Sequence, residues 1–566
     1  MKLKANNTEQ KLRGGYYTPD NMADFIVRWA FPMNDGAPIS VLEPSCGDGV
    51  FLESLLRNLP ENDIRCKAVE FVDTEADFSR KRVAIHPGFE VVHGDFYKIF
   101  DEGLNNERFD LVLGNPPYIR YQYLTPEQRH TQSKILVSNG MKSNKLINSW
   151  VSFMVAATSV LSPNGKMGMV IPAELMQVAY AEDLRKFLVD NLTRITVVTF
   201  EELVFPDVQQ EVVLFLAEKI MNARQEDNLM TVIQTKNLES LNKETFFNNP
   251  IEYKPVDHTK DKWTKYFLST EEIQLINRLK NDTRFKRISE IADVDIGITT
   301  GDNKYFSVNQ EIVERYKLKD VVLPLIGRSA HSKGLHFTLE DWQDNVTKGL
   351  NAQLVYFPDI PYEEYPDEHK EYIRIGEADK VHEGYKCGIR DRWYRVPSVY
   401  APDAFFLRRN NTFPKFVLND INAVSTDTMH RIRFKENVDR NKALLSYYNS
   451  VSFAFSEFEG RSYGGGVLEV LPSEVELIIV PDLHDLDDSK AKKLLSKIDK
   501  AIRTNKNIEK VLDEVDQKIL IEHIGLEPNE AALFRDVWKR LMNRRHARKK
   551  KATARLHSED VGNRRV

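Results

Sequence analysis

Among 566 residues there are only three cysteines, Cys46, Cys66 and Cys387, and none falls in a C-x-x-C or other ligand spacing. That argues against both a disulfide framework and a zinc site, so no metal is expected. Apolar runs fall short of the ~18–20 residues of a membrane span. The opening MKLKANNTEQ lacks the apolar core of a signal peptide. The expected setting is therefore a reducing cytoplasm, without a membrane partner. No fixed-period repeat runs along the chain, and the dinucleotide fingerprint G-x-G-x-x-G is missing where a glycine turn does occur.

What remains is ordinary globular composition, 42% hydrophobic and 29% charged, in a chain too long for one core. The net charge of −5 does not by itself suggest a nucleic-acid partner. The distribution says more, because "KRLMNRRHARKKKATAR" (Lys539–Arg555) holds many basic residues and no acid. Such a run reads either as a solvated tail or as an electrostatic hold on phosphate.

From about residue 39 to 220, short apolar runs alternate with helical patterns. "ISVLE" leads through a glycine turn into "VFLESLLRNL". "RCKAVEFV", "FEVVHGDF" and "FDLVLGN" are further strands, "LINSWVSFMVAATSVL" has helical spacing, and "GKMGMVIP" returns to strand. This alternation predicts a parallel α/β sheet covered on both faces, closed by an antiparallel pair from "RITVVTFEE" and "EVVLFLAEKI". Beyond a polar connector the texture becomes irregular and aromatic, then helical from about Asp485. The expected regions are 1–225, 226–485 and a helical, basic 486–566.

Ligands of open parallel sheets bind beyond the carboxyl ends of the strands. The first strand ends there in Glu43-Pro44-Ser45-Cys46-Gly47-Asp48-Gly49, where Gly47 and Gly49 permit a tight turn. Its acids would repel a pyrophosphate and suit a cationic or hydroxyl-bearing ligand. The second strand ends near Glu70 and Asp73, either able to accept a ribose diol. The third offers Asp95 to an adenine amino group and Phe96 to its ring. Each acid alone reads as a loop or cap residue. Together they point to an adenosine without phosphates, which S-adenosylmethionine provides.

The fourth strand delivers Asn115-Pro116-Pro117-Tyr118 to the same edge. Taken in order, "GGYYTPDNMADFIV", "VLEPSCGDGVFL", "AVEFVD", "HGDFY" and "LVLGNPPYIRYQ" resemble the γ-class of DNA adenine methyltransferases, of the kind found in type II restriction–modification systems. The resemblance implies a class I (Rossmann-like) methyltransferase domain, then a mixed α/β target-recognition domain and a helical C-terminus. It also implies S-adenosylmethionine contacts from Tyr17, Thr18, Pro19, Glu43, Ser45, Cys46, Gly47, Gly49, Glu70 (or its rival Asp73), Asp95 and Phe96. Asn115 and the Pro116 carbonyl would hold the target amino group, Pro117 would stiffen the corner, Tyr118 would stack on a flipped base, and Phe205 would pack against the same base.

The chemistry explains the corner. An aromatic amino group is a poor nucleophile, because its lone pair is conjugated with the ring. Two rigid acceptors drawing on its hydrogens pyramidalise the nitrogen, and prolines bring no N–H to compete. A base inside a duplex must first be flipped out.

The corner itself specifies a planar amino nitrogen, so ribosomal RNA adenine and protein glutamine remain alternative substrates. The long region after the α/β domain favours duplex DNA. There "RDRWYRVPS" and "GRSYGGGVLEV" interleave basic and aromatic residues, which makes Arg392, Trp393, Arg395, Arg461 and Tyr463 candidate DNA contacts. The cofactor motif begins close to the start of the sequence, so any cognate restriction endonuclease is expected on a separate chain. DNA binding would place the protein on the nucleoid.

Overall fold

The computed structural model describes residues 17–562 except 32–37, 61, 203, 206–210, 225, 226, 242–250, 257, 259, 260, 464, 465, 505 and 506, and only the backbone at 463 and 548–562. The chain divides into two compact units, Met1–Thr270 and Glu271–Val566.

The first unit is built on a nine-stranded sheet ordered β3-β2-β1-β4-β5-β7-β6-β8-β9. Its strands are β1 (Ile39–Glu43), β2 (Ile64–Glu70), β3 (Phe89–His93), β4 (Phe109–Gly114), β5 (Leu161–Pro172), β6 (Arg194–Phe200), β7 (Val212–Glu218), β8 (Leu229–Thr235) and β9 (Lys254–Pro255). β1 to β5 are parallel, and β7 runs antiparallel between β5 and β6. That order and the reversed β7 define the class I methyltransferase fold. The antiparallel pair read from the sequence is β6 with β7. Because β8 and β9 add to the same sheet, the unit extends past residue 225.

The helices are α1 (Asp20–Ala30), α2 (Val50–Asn58), α3 (Asp73–Val83), α4 (Phe96–Glu102), α5 (Pro126–Ser138), α6 (Ser149–Ser159) and α7 (Glu182–Asn191). The chain moves outward from β1 to β3, then re-enters at β4 and moves the other way. Right-handed crossovers therefore put two helix sets on opposite faces, with the reversal between β1 and β4. One core packs Phe25 and Ile26 of α1 with Phe51 and Leu55 of α2 against Val41, Leu113 and Leu214 of the sheet. α6 is buried on almost every side, including Trp150 and Met154, which explains why its sequence is mainly apolar and carries no charge.

The second unit holds a five-stranded sheet ordered 292–296, 429–434, 404–407, 416–419, 336–337, with smaller sheets around it. An aromatic core includes Tyr305, Phe357, Tyr372 and Tyr394. The helices after residue 486 belong to this unit. α8 (Ser450–Glu459) packs on α9 (Pro528–Gly562). Among the described residues no helix is long and apolar enough to cross a membrane.

Candidate methyltransferase site

The turn after β1 needs its glycines for two different reasons. Gly47 and Gly49 both have positive φ, +53° and +86°. A Cβ on Gly49 would lie 2.8 Å from Ser79 Oγ and 3.1 Å from Ser79 Cα, so glycine lets α2 seat against α3. A Cβ on Gly47 would meet nothing within 4 Å, because that position faces open space. Glu70 at the end of β2 fixes the turn, accepting from the N–H of Gly47 (2.9 Å) and of Val72 (2.8 Å).

Glu43 closes β1 and is 1% exposed. Among the described residues its Oε2 has no hydrogen-bond partner. Burial, then the charges of Glu70 and Asp48, push its carboxyl well above the usual range. A buried acid without a partner is costly unless a cation or donor is supplied from outside.

Beside this turn lies a cavity of about 330 Å³. Of the residues expected to hold a cofactor, Tyr17, Ser45, Gly47, Glu70, Asp95 and Phe96 line it, and Asn115 and Pro117 border it from the corner. Thr18, Pro19, Glu43, Cys46 and Gly49 are not among the lining residues. Pro19 caps α1, and Cys46 is buried with its thiol pushed upward by burial. Between the rival acids, Glu70 faces the cavity, whereas Asp73 is solvent-exposed and lies 3.4 Å from His93.

Asp95 caps α4, its Oδ1 accepting from Tyr97 N–H at 2.9 Å, while Oδ2 accepts from Gln128 Nε2 at 2.7 Å. Gln128 also takes the Thr125 N–H on its Oε1 at 3.0 Å, completing the capping box of α5. Phe96 stacks on Phe153 with centroids 4.5 Å apart. Several lining residues escaped the sequence reading, Phe71, Glu75 and Gln128 among them. Phe71 is 60% exposed on the rim, Glu75 accepts from the Tyr17 hydroxyl, and Gln128 ties α5 to Asp95. Of these three, Gln128 left a signal, the T-x-x-Q of a capping box.

The corner at Asn115 is held from several sides. Asn115 Nδ2 donates to Thr18 Oγ1 at 3.2 Å, its Oδ1 accepts from the Tyr118 hydroxyl at 3.0 Å, and its backbone carbonyl accepts from Ser45 Oγ at 3.1 Å. Ser149, fully buried at the start of α6, clamps the next residues. Its Oγ donates to the Pro117 carbonyl and accepts from Ile119 N–H at 2.9 Å, and its own N–H donates to the Ile119 carbonyl at 2.9 Å. Among the described residues no hydrogen bond reaches the Pro116 carbonyl. Phe205 is 9% exposed in the same core cluster that Tyr118 packs against; residues 206–210 lie outside the described residues.

The structure gives the second unit's candidate contacts partners of their own. Arg392 and Arg395 both pair with Asp359, at 2.9 and 2.8 Å. Trp393 packs on Tyr305. Arg461 pairs with Glu474 at 2.7 Å with little exposure. The side chain of Tyr463 lies outside the described residues. The basic run is also engaged where it begins. Lys539 pairs with Glu509, Arg540 with Glu272, and the buried Arg545 with Glu457.

Fold and site together define an S-adenosylmethionine-dependent methyltransferase of class I. Residues 52–205 match the family described as Eco57I restriction-modification methylase, and residues 260–520 match the C-terminal domain of type II methyltransferase M.Eco57I. The chain is similar to type II methyltransferase M.AccI of Acinetobacter calcoaceticus, 24% identical over 537 residues, covering 90% of this chain and 93% of that one. It is 25% identical over 380 residues to M.HindII of Haemophilus influenzae, covering 64% of this chain and 67% of that one. The DrdV–DNA complex aligns with a TM-score of 0.49 at 13% identity, over 87% of this chain and 58% of that one. The type IIG restriction endonuclease BpuSI aligns at 0.41 and 13% identity, over 95% and 66%. The chain thus spans less than two thirds of these two solved chains. The two family models and these relatives together support a type II restriction–modification-like DNA methyltransferase.

Proposed function

We propose that this protein methylates the exocyclic N6 amino group of an adenine flipped out of duplex DNA, at a defined sequence, with S-adenosylmethionine as donor. The observation that carries this reading is the corner at the end of β4. There Asn115 and Pro117 line a cavity of about 330 Å³, and the Pro116 carbonyl between them has no internal donor among the described residues.

The residues present fit the donor. The buried, partnerless Glu43 Oε2 suits a cationic group, the open side of Gly47 leaves room for a close approach, and Glu70 and Asp95 offer carboxylates to hydroxyl and amino groups. When bound, S-adenosylmethionine supplies a methyl group on a cationic sulfonium. The chain's own part is orientation. Asn115 Oδ1 and the Pro116 carbonyl accept the two amino hydrogens, which localises the nitrogen lone pair for in-line attack. Ser149 and Ser45 keep the neighbouring carbonyls of Pro117 and Asn115 occupied, so the acceptors presented are these two. Tyr118 and Phe205 offer rings to the extruded base.

The test is nucleoside mass spectrometry of unmethylated genomic DNA after incubation with protein and S-adenosylmethionine. N6-methyladenine is the expected product. Methylcytosine would refute the base assignment. Unmodified DNA with labelled RNA or protein would refute the substrate.

A further inference from the structure

The segment around Arg392 presents two large apolar side chains to solvent. Tyr385 is 76% exposed and Ile389 64% exposed, four positions apart. Their backbone is nonetheless held firmly. The Arg390 guanidinium donates to the carbonyls of Thr299 (3.0 Å) and Thr300 (2.8 Å). Gly301 abuts the buried Cys387 so closely that a Cβ there would come within 2.6 Å of its Sγ. Two large apolar side chains are thus displayed on a fixed frame, which is poor design for a surface that stays in water.

Neighbouring loops extend the same face. Asn303 Nδ2 donates to Asp427 Oδ1 at 3.2 Å, Thr428 Oγ1 donates to the Gly327 carbonyl at 3.1 Å, and Ile298 bridges to Thr426. On these loops Lys304, Arg328 and Lys386 are exposed, and among the described residues they form no ion pair. The adjacent acids are occupied, Asp302 by the N–H groups of Lys304 and Tyr305 and Asp427 by Asn303. Arg392 and Arg395, by contrast, share the exposed Asp359, and Arg461 is paired with the buried Glu474.

We propose that the face formed by loops 297–304, 327–331, 385–390 and 426–428 is the surface that the second unit applies to duplex DNA, with Lys304, Arg328 and Lys386 on phosphates and Tyr385 and Ile389 against base edges. The inference rests on the DNA-methylating function proposed above and names its contact residues. Unpaired cations gain by releasing condensed counterions from the duplex. Apolar side chains held at fixed positions discriminate thymine methyl groups in the major groove.

Two full-length variants test it, Lys304→Ala/Arg328→Ala/Lys386→Ala and Tyr385→Ala/Ile389→Ala, with binding to a target duplex measured across salt and methylation mapped on plasmid DNA. The charge variant is expected to flatten the slope of log affinity against log salt by about 2–3, at roughly 0.9 per lost phosphate contact, with the target sequence unchanged. The apolar variant is expected to lose about tenfold or more in methylation rate at the target while keeping its salt slope. All five side chains are exposed, so cofactor binding should match wild type. Unchanged slope and rate in both variants, beside a wild type that methylates DNA, would overturn this surface and leave the proposed function standing. A wild type that methylates no DNA would overturn the function on which it rests.

Discussion

The hydroxyl of Tyr118 lies 3.0 Å from Asn115 Oδ1 and 3.0 Å from the carbonyl oxygen of Val170. One proton serves two acceptors, so the ring that would stack on the target base also reports on the amide that would receive its amino group. Tyr118→Phe keeps the ring and removes the proton, and should cost less than about tenfold in methylation rate. Tyr118→Ala should cost about a hundredfold, in line with base–aromatic stacking of ~1–3 kcal/mol plus lost support for the corner. Comparable losses in the two variants would show the hydroxyl, not the ring, to be the functional part.

Asn115→Ala removes one of the two proposed acceptors and leaves Glu70 and Asp95 on the cavity wall untouched. Single-turnover transfer should fall by about 10²–10³-fold or more, the range for deleting one preorganised hydrogen-bonding group. Affinity for S-adenosylmethionine, read by calorimetry, should stay within a few-fold of wild type. A variant that transfers methyl groups at the wild-type rate would remove Asn115 from the mechanism.

Glu43 makes a pH-dependent prediction. Its carboxyl is raised by burial and by the neighbouring acids Glu70 and Asp48. The folded protein therefore keeps a proton that the unfolded chain gives up, and stability falls as pH climbs from the ordinary carboxylate range through the raised value. Glu43→Gln should raise the unfolding temperature of the cofactor-free protein at neutral pH by roughly 2–4 °C per kcal/mol recovered. It should bring no gain near about pH 4, where the wild-type group is already protonated. The same variant should bind S-adenosylmethionine about tenfold more weakly, for want of a charge-assisted hydrogen bond. Wild-type affinity should weaken as pH falls, and the variant's should not. An equal pH response in both proteins would place the titrating group elsewhere.

Ser149→Ala leaves the Ile119 N–H and the Pro117 carbonyl without their buried partner. The cost to stability should be ~1–3 kcal/mol, visible in a denaturant titration. The more telling readout is kinetic, because kcat should drop while KM for S-adenosylmethionine holds, and Ser149→Thr should restore part of the rate. Loss of cofactor affinity in step with kcat would make Ser149 a residue of the fold alone.

Arg545 divides the basic run into two parts with different fates. Its guanidinium pairs with the buried Glu457 and donates to the carbonyls of Asn411 (2.5 Å) and Gly466 (2.6 Å). Removing residues 548–566 should weaken DNA binding and its salt dependence without altering the target. Arg545→Ala should instead destabilise the second unit by ~3–5 kcal/mol, the cost of stranding one member of a buried ion pair. If trimming 548–566 leaves the salt slope unchanged, that segment makes no phosphate contact.

β1 to β7 were legible because each is a short apolar run punctuated by glycine, acid or proline, and β6 and β7 lie too close in sequence for a crossover helix; β8 and β9 were not, because they follow a polar connector. The corner was legible because Asn115 to Tyr118 are contiguous. Ser149 was not, since a serine opening a helix reads as a cap, and its contact with Pro117 exists only once β4 and α6 are adjacent. Pairing in the second unit was hidden for a related reason. Arg392 and Arg395 both meet Asp359, and no local pattern announces that pairing. Side-chain chemistry within a turn of chain was readable, while the choice between inward and outward use of an arginine was made by tertiary partners.

The division at Thr270 also orders events in time. Every strand of the nine-stranded sheet lies before that residue, so the first unit has all its sheet partners once its own stretch of chain has left the ribosome. The second unit pairs 285–287 with 479–481 and fastens Glu457 to Arg545, so its earliest strand waits for residues translated some two hundred positions later. Domains fold as units from the N-terminal side during synthesis, at ~5–20 residues per second. A newborn copy would thus hold a finished cofactor pocket for ten seconds or more, at that pace, before it could complete its second unit.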